Sequence, residues 1–239
     1  MEPYQKEYKI LSSDTDRFRR LRLSRLLTFL QEAAIAHTEA LGAGRAKTLD
    51  RGLLWVLTLQ QVTVTRLPEY DETVVLESLP GEMMHTFFPR YYRLTDSGGK
   101  ELLNASALWM LMDCETRTMA FPEQAGVTIH GETPDWASSL PRAPKLPKGG
   151  QTDEFTVPYS YVDLNGHMNN TRYLDLAEDL MPERLREKRV CSILTEYTGE
   201  AKCGDVIRLT KEQDETSFLL CGTGEKRLFR LGLYYEKDR

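Results

Sequence analysis

The order of predicted elements occurs twice along these 239 residues, and few folds accommodate that. Residues 21–41 read as a helix, because Leu23, Leu26, Leu27, Leu30 and Ala34 recur at helical spacing and Gly42 supplies a stop. Strand signals follow over 53–65, 73–79, 87–94 and 101–112, the last two flanking the turn Asp96-Ser97-Gly98-Gly99. Residues 154–159 then read as extended, 170–188 as a helix, and 192–197, 206–210, 218–221 and 228–235 as strands. Asp16 precedes the first helix as Asp163 precedes the second; Leu57-Thr58 aligns with Leu194-Thr195, and Asp71 with Asp205. Two copies of a helix with an antiparallel meander define an α+β class. The expected division is a first domain over 1–134, a linker over 135–150 marked by Pro141, Pro144 and Pro147, and a second domain over 151–239.

Composition narrows the function. Hydrophobic residues make up 41% and charged residues 28%, an ordinary balance for a packed globular chain. The net charge of −5 argues against a nucleic-acid partner. No apolar run is long enough to span a bilayer, and the polar segment Met1–Ile10 has neither a secretory nor a transit character, so a cytoplasmic protein is expected. Cys114, Cys191, Cys203 and Cys221 lack zinc or redox spacing and read as reduced thiols. His37, His85, His130 and His167 show no ligand spacing, and Gly42-Ala43-Gly44 follows a helix instead of opening one. No metal or cofactor is expected.

The densest polar cluster is Asp163-Leu164-Asn165-Gly166-His167-Met168-Asn169-Asn170. In an extended segment Asp163, Asn165 and His167 would share one face. A carboxylate, an amide and an imidazole would then stand together beside a helix beginning near Asn169 or Asn170. Such a group can move a proton near neutral pH and stabilise an oxyanion at the helix's positive end. The same residue types are also good turn formers and N-caps, so a purely structural cluster stands beside the functional one. Glu196, Thr198 and Glu200 alternate on the following strand, and a solvated face competes there with a catalytic carboxylate.

The pattern Asp163-x-Asn165-x-His167-x-Asn169-Asn170-x-x-Tyr173 resembles the active-site segment of plant and bacterial acyl-ACP thioesterases. The likeness covers nearly the whole chain. It includes Leu54-Trp55-Val56-Leu57-Thr58 with Arg66-Leu67-Pro68 and Asp71. It also includes Ala105-Ser106-Ala107-Leu108-Trp109 through Asp113, with Thr116-Arg117, and Leu194-Thr195-Glu196-Tyr197 through Glu200. The resemblance implies two tandem hotdog domains, each a long helix wrapped by an antiparallel sheet. It carries the family's catalytic Asp, Asn, His and Glu onto Asp163, Asn165, His167 and Glu200. Ala201 stands where plant members often have Cys, Thr198-Gly199 replace an Arg pair, and Cys203 is discounted, so a water-based mechanism is implied with His167 or Glu200 as base.

In the first repeat Asp16, Phe18 and Arg20 occupy the equivalent turn, and about Val64 lies opposite Glu200, so one site per chain is expected. The resemblance gives the first half much of the acyl pocket, with Met83, Met84 and Trp55 as candidates for setting chain length. The implied reaction is hydrolysis of fatty acyl-ACP to free fatty acid and holo-ACP, with acyl carrier protein as partner and a homodimer possible. An acyl-CoA thioesterase and a non-catalytic acyl-binding module are the alternatives; a hotdog dehydratase is disfavoured because its motif places one more residue before His. The basic run Arg17, Arg19, Arg20, Arg22 and Arg25 could steer an acidic carrier or be a solvated helix face.

Overall fold

The computed structural model describes residues 2–149 and 151–237; the positions 1, 150, 238 and 239 of the expected domain and linker ranges lie outside the described residues. The first half runs β1 (Tyr4–Lys9), α1 (Leu23–Ala40), β2 (Leu53–Val64), β3 (Thr73–Pro80), β4 (Phe87–Asp96), β5 (Glu101–Asp113), β6 (Met119–Ala120) and α2 (Pro122–Ala125). The second runs β7 (Gln151–Thr156), α3 (Arg172–Leu180), α4 (Glu183–Arg186), β8 (Val190–Tyr197), β9 (Val206–Gln213), β10 (Ser217–Thr223) and β11 (Arg227–Tyr235). All strands join one antiparallel sheet in the order β1-β3-β4-β5-β2-β8-β11-β10-β9-β7, with β6 on β5. The two halves of this list mirror each other, and β2 pairs with β8 at the seam, Leu59 opposite Glu196 through Thr63 opposite Ser192. The arrangement is a tandem hotdog of the α+β class.

Local chemistry explains the elements. Leu26, Leu27, Leu30, Ala33 and Ala34 bury one face of α1. The helix ends in a Schellman arrangement: Gly42 takes φ 69°, its N–H reaches Glu39 O at 2.9 Å, and Ala43 N–H reaches Thr38 O at 3.1 Å. The expected second helix is broken, because Met181 turns to the extended region and Pro182 has no N–H to continue α3. β1 has no clear strand signal, since Gln5, Lys6 and Glu7 are polar; Tyr8 nevertheless stacks on Phe29 of α1 at 4.1 Å.

Backbone bonds fix the equivalence of the repeats. Thr65 and Arg66 N–H both reach Leu102 O, as Thr198 and Gly199 N–H both reach Leu228 O. Leu21 N–H reaches Pro68 O, as Met168 N–H reaches Ala201 O. Leu67, not Val64, therefore answers Glu200. Gln61-Val62, not Leu57-Thr58, answers Leu194-Thr195. Asp71 answers Gly204, both at positive φ, and Glu72 answers Asp205. The register irregularity of β2 between Leu57 and Leu59 is one feature that identities alone cannot reveal.

The segment joining the halves is held against the sheet. On β5, Leu103, Ala105 and Ala107 join the core with α1, while the intervening side chains take the opposite face. There Asn104 Nδ2 donates to Trp136 O at 2.7 Å and Ser106 Oγ to Ser139 O at 2.8 Å. Further along, Arg142 N–H reaches Gln61 Oε1 at 3.4 Å, and Lys148 N–H reaches Glu212 Oε2 at 2.5 Å. A single buried apolar cluster spans both halves.

Candidate active site

The segment 162–168 is a tight turn, not the extended stretch that alternation suggests. Val162 bridges Met168, Asp163 N–H reaches His167 O at 3.0 Å, and Gly166 N–H reaches Asp163 O at 3.0 Å. Gly166 sits at φ 78°, a conformation glycine adopts at little cost. Asp163, Asn165 and His167 therefore do not line one strand face.

Each residue of the turn has its own task. Asp163 Oδ1 accepts from Asn165 N–H at 2.8 Å and its Oδ2 from Asn169 Nδ2 at 3.0 Å. Asn169 Oδ1 in turn accepts from Thr171 N–H at 3.0 Å and Thr171 Oγ at 2.8 Å. The turn-and-cap reading thus holds for Asp163 and Asn169. The N–H groups of Thr171 and Arg172 are spent on Asn169, so these two are not available to an oxyanion. Asn165 is exposed at the tip, while His167 is buried.

Glu200 lies beyond the end of β8, where Thr198 and Gly199 both bond Leu228 O and interrupt the alternation. Glu200 Oε2 is 3.3 Å from His167 Nε2, and Oε1 accepts from Arg117 Nη1 at 3.1 Å. Glu196 belongs elsewhere: Arg230 Nη2 donates to its Oε1 at 2.9 Å, and Arg230 Nε and Arg227 also meet it. The pair of glutamates is thus neither one solvated face nor one site. The neighbouring Tyr173 phenol is pushed up by burial first and by the Glu200 carboxylate second, so it stays protonated. Ala201 is fully buried, and Cys203 is an exposed free thiol on the loop before β9.

A cavity of about 350 Å³ opens beside the turn, between α1 and the first-half strands. Ile35, Trp55, Phe88 and Trp109 make its wall apolar, and Trp55 stands edge-on to Phe88 at 4.8 Å. Among the described residues, the second half reaches it through Asp163, Leu164, Asn165 and Asn170. Asp163 and Asn165 thus face the cavity, while His167 and Glu200 form a contact pair outside its lining. Of the chain-length candidates Trp55 lines the cavity; Met83 and Met84 do not.

Two features escaped the sequence. Arg90 is buried in the cavity wall, donating to Ser78 Oγ at 3.0 Å and Thr38 Oγ1 at 2.9 Å, with Nη1 3.1 Å from His37 Nδ1. Burial and this guanidinium push His37 down to about 4, so the imidazole is neutral and Nδ1 can accept. Arg117 reaches Glu200 from the other half; only the Thr116-Arg117 match pointed to that turn. The basic run is largely consumed internally: Arg25 pairs with Asp14 at 2.7 Å, Arg17 with Glu183, and Arg20 with Asp16 at 3.0 Å. Arg20 also donates to Arg186 O at 2.6 Å and Lys188 O at 3.1 Å, so it staples the halves together. Asp16 and Arg20 hold the places of Asp163 and His167, and there they form a structural ion pair.

Two hotdog halves fused through one sheet place a His–Glu pair beside an apolar cavity. The chain matches the acyl-ACP thioesterase N-terminal domain over residues 2–123 and the C-terminal domain over 145–226, and it belongs to that family. It is 27% identical over 220 residues to a chloroplastic palmitoyl-acyl carrier protein thioesterase of Cuphea hookeriana, covering 84% of this chain and 52% of that one. The chain spans about half the length of the curated relatives it matches. In fold it is similar to an acyl-ACP thioesterase from Bacteroides thetaiotaomicron, with TM-score 0.88, 23% identity and 97% of each chain covered. It is likewise similar to the 12:0-ACP thioesterase from Umbellularia californica, with TM-score 0.81, 20% identity and coverage of 99% and 98%. Among the described residues no helix is long and apolar enough to cross a membrane.

Proposed function

We propose that the chain hydrolyses fatty acyl thioesters of acyl carrier protein, releasing free fatty acid and holo-carrier. The observation that carries this reading is the 3.3 Å contact between His167 and Glu200 beside an apolar cavity rimmed by Asp163 and Asn165. In this reading residues 1–134 hold the acyl chain, 151–239 carry Asp163, Asn165, His167 and Glu200, and 135–150 join them. The four free cysteines suit a reducing compartment, and we take it to be the cytoplasm.

The acyl chain occupies the first-half cavity and its thioester lies at the 163–170 turn. Water attacks the carbonyl carbon while His167 takes its proton, and Glu200 stabilises the imidazolium that forms. The Asn165 amide offsets the charge on the carbonyl oxygen. Collapse of the tetrahedral intermediate breaks the C–S bond, and the imidazolium returns its proton to the departing thiolate. Asp163 keeps the turn in shape through its bonds to Asn165 and Asn169. With Ala201 in place of a thiol, no covalent acyl-enzyme on that position is available.

The test is incubation with acyl-ACPs and acyl-CoAs of graded length, followed by identification of the acids released. Acids from acyl-ACP at a higher kcat/KM than from acyl-CoA are expected. Faster turnover of acyl-CoA, or no acid from any acyl-ACP, would overturn the assignment.

A further inference from the structure

We propose that Arg117, supplied by the first half, is a positioning residue for the hydrolytic site: its guanidinium fixes Glu200 so that the second carboxylate oxygen faces His167. The inference rests on the reading of His167 and Glu200 as the reacting pair. Three observations carry it.

The first is the division of the carboxylate. Oε1 goes to Arg117 at 3.1 Å and Oε2 to His167 at 3.3 Å, so one oxygen is anchored and the other presented. Glu200 lies three residues past the end of β8 and its side chain is 36% exposed, so packing alone does not choose its rotamer. A charge-assisted contact from a planar guanidinium does.

The second is the platform behind Arg117. Its backbone lies at φ 56°, in the left-handed region that a non-glycine residue enters at a cost. The β5–β6 turn enforces that geometry. Asp113 Oδ1 accepts from Glu115 N–H at 3.0 Å, Thr116 N–H at 2.7 Å and Thr116 Oγ1 at 3.0 Å, and Arg117 N–H closes onto Asp113 O at 3.0 Å. These bonds hold the Asp113 carboxyl below its usual range, so the anchoring carboxylate keeps its charge.

The third is the origin of the two residues. Arg117 and Glu200 belong to different repeats, which the β2–β8 pairing joins in one sheet. The site is therefore completed across the seam. A half-exposed ion pair adds little to folding stability, which leaves orientation as the role that such a costly turn serves.

The experiment compares Arg117→Ala and Arg117→Lys in the wild-type and Glu200→Gln backgrounds, reading acyl-ACP hydrolysis, melting temperature and the His167 ring resonances by NMR. Arg117→Ala should lower kcat about tenfold at unchanged KM and melting temperature, as expected when a reacting group loses its alignment. Arg117→Lys should recover part of the rate, as should guanidinium ion added to Arg117→Ala. In Glu200→Gln the Ala substitution should cost nothing further, because both act through one contact. Multiplicative losses in the two backgrounds would overturn the inference, as would a rise in KM with kcat intact, which would make Arg117 a carrier contact. The ring resonances need no substrate: they should move in Arg117→Ala as they do in Glu200→Gln, and unmoved resonances would overturn it too. A wild-type protein inactive on every acyl thioester would sink the hydrolase reading, while the resonances would still decide whether Arg117 sets Glu200 against His167.

Discussion

Glu178 on α3 shows how one side chain couples the repeats to pH. Its carboxyl faces the Leu23 N–H at the start of α1, and its Oε2 is buried without a hydrogen-bond partner among the described residues. Burial, the largest cause, pushes its pKa from 4.5 up to about 7. Between those two values the folded chain binds more protons than the unfolded one, so stability falls as pH rises through the window and the loss is complete above it. Glu178→Gln should therefore raise stability at pH 8 by at most about 3 kcal/mol, and the gain should fade as pH falls toward 4.5. Thermal melts across that range check it. The four candidate residues could be named from the sequence because residue type and order survive there. Their arrangement was not: alternation presumed an extended 163–167 and a straight 196–200, whereas Gly166 at φ 78° turns one and the paired bonds to Leu228 interrupt the other. Nor could spacing show that Glu196 is held by Arg230, a partner 34 positions away.

At the scale of elements, the 162–168 turn brings the cavity-facing Asp163 and Asn165 into one segment with His167. Gly166→Ala forces a side chain into the left-handed region and should destabilise the protein by about 1 kcal/mol. Activity should fall further than that loss explains, because His167 follows directly; denaturant unfolding beside kcat separates the two effects. α1 and the strands β2 to β5 and β8 to β11 were readable from helical spacing, β-branched runs and hairpin turns. β1 was not, since a polar edge strand carries its information in contacts such as Tyr8 on Phe29. The second helix was overextended because its apolar periodicity runs past Pro182, where the missing N–H stops it.

In the whole molecule the repeat is the feature that the sequence disclosed best, and the seam is the one it concealed. Nothing in β2 or β8 alone says that Leu59 lies opposite Glu196, yet that pairing makes one sheet of two halves, and one buried cluster spans both. Heat should therefore unfold the chain in a single calorimetric transition, and two resolved transitions would contradict the shared core. Division of labour follows from the same geometry: the first half contributes the cavity wall and Arg117, the second His167 and Glu200. The most direct test is the rate of thiol release from acyl-ACP by the wild type, His167→Ala and Glu200→Gln, with the fold of each checked by circular dichroism. The wild type should release one thiol per fatty acid formed, and each variant should be slower by roughly 10²–10⁴. Folded variants that release thiol at the wild-type rate would contradict the account.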